Sequence, residues 1–219
     1  MKKIVAINAS PRTKWNTAQL VEQACLGAKK ENAQVKYYDL YRQEKFTGCV
    51  SCFGCMLEPN KGRCVCKDGL TEILEDIRTA DGLIIGTPNY LGDVSSGLRA
   101  LFERLVFQHL TYKHEVGGYE TQNIPVLFIM TSNVAEDLYD ASGYTAMLNG
   151  YKKRLERFIG PVKFLISGQT KQVNDYSKYG WTYFDPEAVE NRHKTVFPME
   201  KAKAYALGSK MVSGIWEEK

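Results

Sequence analysis

The sequence has no long apolar run, no block of like charges and no internal repeat. No stretch approaches the roughly 18 consecutive apolar residues that a membrane-spanning helix needs, so we expect no membrane partner. The 29 Lys and Arg residues exceed the 25 Asp and Glu residues by only 4 and are scattered, which gives little support for nucleic-acid binding. The N-terminus imitates a secretory signal, but Asn8 and Pro11 end its apolar run too early. We therefore expect a cytoplasmic protein.

The sequence also lacks the two common glycine-rich nucleotide motifs. The absence of Gly-x-x-x-x-Gly-Lys-Ser/Thr argues against a nucleotide triphosphatase loop, and the absence of Gly-x-Gly-x-x-Gly argues against a dinucleotide fingerprint. Histidine is scarce, and His109, His114 and His193 show no ligand spacing with one another. We therefore assign no proton-transfer role to a histidine.

The chain does contain five short apolar runs that alternate with helical patterns. Continuous apolar runs suit strands of a parallel sheet that is covered on both faces. The alternation predicts an α/β fold in one domain over residues 1–219, with a doubly wound five-stranded parallel sheet and helices on both faces. Strands are predicted over 4–9, 35–40, 83–87, 126–131 and 162–166, and helical patterns lie at 20–28, 70–77, 98–105, 155–159 and 204–215.

Two connections are long for a compact domain. The first, at 41–69, contains a cysteine-rich loop at residues 48–67, and the second is a long loop or arm predicted at 167–198. Connections of this length are usually functional. Ligands of such folds bind beyond the carboxyl ends of the strands, so the loops after the first, third and fourth strands should meet in one crevice.

The loop after the first strand is rich in hydroxyls, amides and cations just before a helix. Ser10 and Thr17 carry hydroxyls, Arg12 carries a positive charge, and Asn16 carries an amide that could cap the helix or donate to phosphate. A helix N-terminus presents unpaired N–H groups and a positive dipole end, which favour an anion. The alternative interpretation is a polar turn with an ordinary helix cap.

The loop after the third strand turns through proline and glycine before it enters a helix. Pro88 and Gly92 permit close approach of the backbone to a flat ligand, Tyr90 offers an aromatic face, and Asn89 offers an amide. These groups suit the edge of a flavin ring. In isolation, the same residues would also make an ordinary turn.

Together the two loops resemble those of the NAD(P)H-dependent FMN reductases of flavodoxin-like fold. The shared motifs are Ser10-Pro11-Arg12 with Asn16-Thr17, and Thr-Pro-Asn-Tyr-x-Gly-x-x-Ser from Thr87 to Ser95. The resemblance covers about residues 1–168, and paired motifs in the right strand context are more specific than either motif alone.

The resemblance implies that FMN carries the chemistry, with NAD(P)H as co-substrate and no catalytic side chain. It also suggests a homodimer or homotetramer. By position, the phosphate would be held by Ser10, Arg12, Asn16, Thr17 and Ala18, the flavin ring would be lined by Pro88, Asn89, Tyr90, Leu91 and Gly92, and Thr131 and Ser132 would lie nearby.

Five of the six cysteines lie between residues 49 and 66. Three of them follow the spacing Cys-x-x-Cys-x-x-Cys, which can surround one metal cluster while nearby glycines let the backbone turn toward it. This loop resembles that of the iron-sulfur flavoproteins, a branch of the same group that binds a [4Fe-4S] cluster. The resemblance implies metal ligation by Cys49, Cys52, Cys55 and either Cys64 or Cys66.

Other interpretations of the cysteine loop stay open: a zinc site, a reversible dithiol pair, or cysteines that bind nothing. Cys25 lies apart on an apolar helix face and is expected to be a core thiol. We expect an oxidoreductase that passes electrons from NAD(P)H through FMN to an unidentified small-molecule or protein acceptor. The alternative is a flavodoxin-like electron-transfer protein or redox sensor without NAD(P)H oxidation.

Overall fold

The computed structural model describes residues 1–114, 118–119, 123–183, 185–214 and 216. The strands are β1 (Lys3–Asn8), β2 (Gln34–Asp39), β3 (Gly82–Tyr90), β4 (Asp93–Val94), β5 (Val126–Thr131) and β6 (Val162–Ser167). The helices are α1 (Asn16–Lys30), α2 (Thr71–Arg78), α3 (Ser96–Phe107), α4 (Tyr144–Phe158), α5 (Pro186–Thr195) and α6 (Phe197–Ser213).

The sheet has the strand order β2-β1-β3-β5-β6, and all four pairings along it are parallel. This confirms the predicted α/β fold with a parallel sheet. The predicted count of five strands is wrong, because β4 adds a sixth strand that pairs antiparallel with the end of β3. A two-residue strand directly after a turn carries no apolar run, so the hydrophobic pattern does not reveal it.

Helices cover both faces of the sheet, as predicted. α1 and α6 pack on one face around Ile4, Ile84 and Leu127, whereas α2, α3 and α4 pack on the other face around Ile85 and Phe128. Successive strand residues point to opposite faces, so each central strand supplies apolar side chains to both layers. No helix within the described ranges is both long enough and apolar enough to cross a bilayer.

Helix α5 lies within the connection 167–198 and is missed by apolar periodicity. Val189 is the one buried residue of this helix, so the sequence of α5 shows no apolar stripe. Its start is nevertheless encoded locally, because the Asp185 side chain accepts from the Glu187 N–H and Pro186 occupies the first turn. Residue 215, at the end of the last predicted helical pattern, lies outside the described residues.

Helices α1 and α6 pack backbone against backbone through two glycines. A Cβ atom on Gly208 would overlap the carbonyl oxygen of Ala24, and one on Gly27 would overlap that of Tyr205. Because the obstacle is main chain in both cases, a rotamer change cannot relieve it. The helix pair therefore requires glycine at both positions.

We expect Gly208→Ala to lower the free energy of unfolding by about 1–3 kcal/mol, because the added methyl group overpacks the helix contact. The higher helix propensity of alanine, about 0.5–1 kcal/mol relative to glycine, offsets only part of this loss. Urea denaturation would measure the change. Gly180→Ala is the control, since a Cβ there meets no atom within 4 Å. Equal losses in the two variants would contradict the close helix contact.

Candidate functional site

The loops that follow β1, β3 and β5 meet at the carboxyl edge of the sheet, as the sequence predicts. The hydroxyls of Thr17 and Thr131 lie 2.7 Å apart and are both buried, which joins the start of α1 to the end of β5. The Ser95 hydroxyl donates to the carbonyl of Ala9 at 2.7 Å, which joins the start of α3 to the end of β1. Three separate segments are thereby held around one crevice.

A cavity of about 260 Å3 occupies this crevice. Its lining includes nine of the twelve predicted cofactor-binding residues: Ser10, Arg12, Asn16, Thr17, Pro88, Asn89, Tyr90, Thr131 and Ser132. The other three are not in the lining. The side chain of Ala18 is buried in the core, Leu91 is fully exposed, and Gly92 lies in the turn beyond Tyr90.

The loop before α1 is shaped by its own polar side chains. The Asn8 Oδ1 atom accepts from the Ser10 N–H at 3.1 Å, and the Ser10 Oγ atom accepts from the Arg12 N–H at 3.1 Å. Trp15 occupies the N-cap position and makes no side-chain capping hydrogen bond. The first turn of α1 therefore begins at the cavity without the polar cap that the alternative interpretation of this loop expects.

Residues 170–172, within the long connection predicted at 167–198, cross this loop, although the sequence analysis did not assign them to the cofactor site. The Lys171 carbonyl accepts from Trp15 Nε1 at 2.9 Å and from Asn16 Nδ2 at 2.7 Å, and the Gln172 carbonyl accepts from Arg12 Nη1 at 2.6 Å. All of these acceptors are main chain, so no side-chain pattern marks the segment as part of the site. Arg12 and Asn16 are thus oriented by the chain after β6.

The loop after β3 is a tight hairpin in which β3 and β4 are joined by Leu91 and Gly92. Both residues have positive φ, +55° and +84°, as a two-residue hairpin turn requires. The Asn89 Oδ1 atom accepts from the Gly92 N–H at 3.0 Å and holds the turn closed. Leucine is disfavoured at positive φ, so this exposed tip is locally strained.

The five cysteines of the loop 48–67 all line one small cavity together with Phe53 and Phe107. None of them forms a disulfide: Cys55 is buried, Cys52 is exposed and the others are half-buried. Burial raises the pKa of the Cys55 thiol to about 11. Within the described ranges, no three His, Cys, Asp or Glu side chains are placed to bind one metal ion. Cys25 lies apart in the core, as predicted.

The cysteine loop is anchored to α3 by an ion pair between a buried cation and a half-buried carboxylate. Arg104 Nη1 donates to both Asp68 carboxylate oxygens, at 2.7 and 2.6 Å, and the Arg104 side chain has no exposed area. Burial alone would raise the pKa of Asp68, but hydrogen bonds from Arg104 and from the Leu70 and Thr47 N–H groups outweigh it and lower that pKa. The carboxylate is therefore held in its charged form.

A larger cavity of about 570 Å3 lies between α3 and α4. Cys49 lines it on the side of the cysteine loop, and Asp93 lines it on the side of the β3–β4 hairpin. The Tyr151 hydroxyl donates to Asp93 Oδ1 at 2.8 Å and also lines this space. The cavity thus connects the surroundings of the two predicted sites.

Residues 2–141 match the family model described as NADPH-dependent FMN reductase. The chain belongs to this family. An iron-sulfur flavoprotein of Methanocaldococcus jannaschii is 34% identical over 102 residues, which are 47% of this chain and 51% of that protein. The matched part of the chain spans about half the length of the curated relatives to which it is similar.

Solved structures share the fold of this FMN reductase family member at low identity. An NAD(P)H:quinone oxidoreductase from Methanothermobacter marburgensis superposes with a TM-score of 0.67 at 17% identity, over 96% of both chains. An FMN-dependent NADH-azoreductase from Bacillus anthracis in complex with FMN gives 0.63 at 16% identity, over 99% of this chain and 100% of that one. The match to the family model ends at residue 141, so it does not include the segment 170–172 that orients Arg12 and Asn16.

We expect Ser95→Ala to destabilise this FMN reductase family member by about 1–3 kcal/mol, because it removes both a helix cap and the donor to the buried Ala9 carbonyl. Chemical denaturation would measure the loss. Ser96→Ala is the matched control, since Ser96 is exposed and its hydroxyl contacts Tyr41 at 3.2 Å; we expect a change within about 0.5 kcal/mol. A similar loss for Ser96→Ala would argue against the special position of Ser95.

Proposed function

We propose that this chain is an FMN-dependent oxidoreductase that takes a hydride from NADH or NADPH and passes electrons to a small-molecule or protein acceptor, through a [4Fe-4S] cluster held by its cysteine loop. The observation that carries the proposal is that each of the two predicted sets of residues gathers around its own cavity. One cavity is lined by nine of the twelve residues expected to bind FMN, and a second is lined by five unpaired cysteines.

The residues around the first cavity fit the phosphate and ring of FMN. One of the paired hydroxyls of Thr17 and Thr131 donates to the other, which leaves one hydroxyl hydrogen for a further acceptor at the cavity. The N-terminus of α1 adds backbone donors, and the Arg12 guanidinium adds positive charge. The β3–β4 hairpin offers the exposed ring of Tyr90 and the backbone of the turn to the flavin.

Bound FMN would supply the chemistry, because its ring accepts a hydride from a nicotinamide and releases electrons singly or in pairs. The task of the chain is to orient the ring and to keep its phosphate fixed. The segment 170–172 helps to fix the phosphate because it orients Arg12 and Asn16, whose side chains donate hydrogen bonds to its carbonyl groups.

The residues around the second cavity fit an iron-sulfur cluster. A [4Fe-4S] cluster takes one cysteine ligand for each iron, so its ligands surround it and do not converge on a single ion. We propose Cys49, Cys52 and Cys55 as three ligands and Cys64 or Cys66 as the fourth. The apolar rings of Phe53 and Phe107 would limit access of water to it.

We also propose the remaining properties expected from the sequence. These are a single flavodoxin-like domain over residues 1–219, a cytoplasmic location, and a homodimer or homotetramer. The larger cavity between α3 and α4 supports an acceptor or a second subunit in contact with the cysteine loop and the β3–β4 hairpin, since Cys49 and Asp93 both line it.

The test is anaerobic purification followed by an absorbance spectrum, counts of iron and acid-labile sulfide, and NADH or NADPH oxidation with an artificial acceptor. We expect bound FMN, four irons per chain in the ratio of a [4Fe-4S] cluster, and steady oxidation of the nicotinamide. A protein that binds FMN but oxidises neither nicotinamide would instead be an electron carrier or a sensor.

Paired variants separate the two sites. We expect Thr17→Val to weaken FMN binding roughly 10-fold, the equivalent of one lost hydrogen bond of about 1.4 kcal/mol, while iron content stays unchanged. Cys52→Ser should remove the cluster absorbance and spare the flavin. Cys25→Ala is the control, because that thiol lies on the core face of α1, apart from the cysteine loop. Retention of full iron and sulfide by Cys52→Ser would show the ligand assignment to be wrong.

A further inference from the structure

Helix α3 places a buried cation against the cysteine loop. Besides its two hydrogen bonds to Asp68, Arg104 donates from Nη2 to the Cys66 carbonyl at 2.9 Å and from Nε to the Cys64 sulfur at 3.3 Å. The residue is 1% exposed. A guanidinium has five donors in a fixed planar arrangement, so these contacts set its orientation and that of the loop together.

Cys64 and Cys66 are held differently. The Cys64 N–H donates at 3.1 Å to Oε1 of Gln108, a buried residue one turn along the chain from Arg104. Both the backbone and the sulfur of Cys64 are thus fixed by this part of the chain. Cys66 offers Arg104 only its carbonyl, which also accepts from the Thr71 hydroxyl at 3.3 Å.

We propose that Arg104 is a positioning residue that presents the Cys64 sulfur as the fourth cluster ligand and, through its Nε–H hydrogen bond, raises the reduction potential of the cluster. The proposal rests on the proposed function, since it requires the cluster. Hydrogen bonds to the sulfurs and local net charge are among the factors that set the potential of an iron-sulfur cluster. A donor that carries a positive charge stabilises the more negative, reduced form.

Asp68 opposes the effect of Arg104 on the reduction potential of the cluster. Its carboxylate lies against the same guanidinium and offsets part of the positive charge that reaches the sulfur. Neutralising Asp68 while keeping Arg104 should therefore move the potential in the direction opposite to removing Arg104. A purely structural role for the ion pair would not produce opposite shifts.

The experiment uses the full chain with its cluster and FMN, and measures the midpoint potential by anaerobic titration followed by electron paramagnetic resonance. We expect Arg104→Gln to lower the potential of the cluster and to weaken iron retention against a chelator by roughly 10-fold, as is typical when an outer hydrogen-bond partner is lost. FMN content should stay unchanged. We expect Asp68→Asn to raise the potential.

Arg63→Gln is the matched control, because Arg63 precedes Cys64 in the same loop but is exposed. Its loss removes an equal charge that solvent already screens, so we expect little change in potential. The ligand assignment is tested by Cys64→Ser and Cys66→Ser, of which the first should lose the cluster and the second should retain it.

Each outcome is decisive. Unchanged potential and iron retention in Arg104→Gln, or shifts of the same sign in Arg104→Gln and Asp68→Asn, would overturn the role of the hydrogen bond. Loss of the cluster in Cys66→Ser, whether or not Cys64→Ser also loses it, would overturn the assignment of Cys64 as the fourth ligand, as would retention of the cluster in Cys64→Ser. A wild-type protein that contains FMN but no iron or sulfide would defeat the cluster part of the proposed function, and this inference with it. If the wild type contains iron and sulfide but Arg104→Gln and Asp68→Asn leave the potential and the iron retention unchanged, this inference alone would be overturned.

Discussion

The parallel direction of the five main strands is the constraint on which the rest of the structure depends. Parallel strands need crossovers, so each connection returns over a face of the sheet and the loops at the carboxyl ends gather at one edge. The buried contacts between Thr17 and Thr131 and between Ser95 and Ala9 are direct results of this geometry. The candidate FMN site is therefore a consequence of topology as well as of its residues.

Helix α3 links the two candidate sites. Ser95 at its start ties the hairpin after β3 to the end of β1, and Arg104 further along holds the cysteine loop. The two residues are nine positions apart, which corresponds to about 14 Å along a helix axis. A rigid helix thus sets the spacing between a loop that would hold a flavin and a loop that would hold a cluster.

The cysteine loop depends on this helix because it has little regular structure of its own beyond a short turn at Gly54–Met56. A buried guanidinium is costly unless it is fully paired, so the Arg104 contacts with Asp68, Cys64 and Cys66 fix the loop and satisfy the cation at the same time. The Cys49 N–H adds a contact to Glu103 of the same helix at 3.3 Å.

The five long strands, the helices with an apolar stripe and the two polar loops were all readable from the amino-acid order, because burial on a sheet face and the chemistry of a tight turn are local properties. Helix α5 and strand β4 were not, since one has a single buried apolar residue and no apolar stripe, and the other is two residues long. The contacts of segment 170–172 with the loop before α1, and the hydrogen bond from Arg104 to Cys64, could be identified only in the folded chain. These contacts join residues 155 and 40 positions apart in the sequence. The segment 170–172 also acts through carbonyl groups, which every residue possesses. No local sequence pattern could therefore predict either contact.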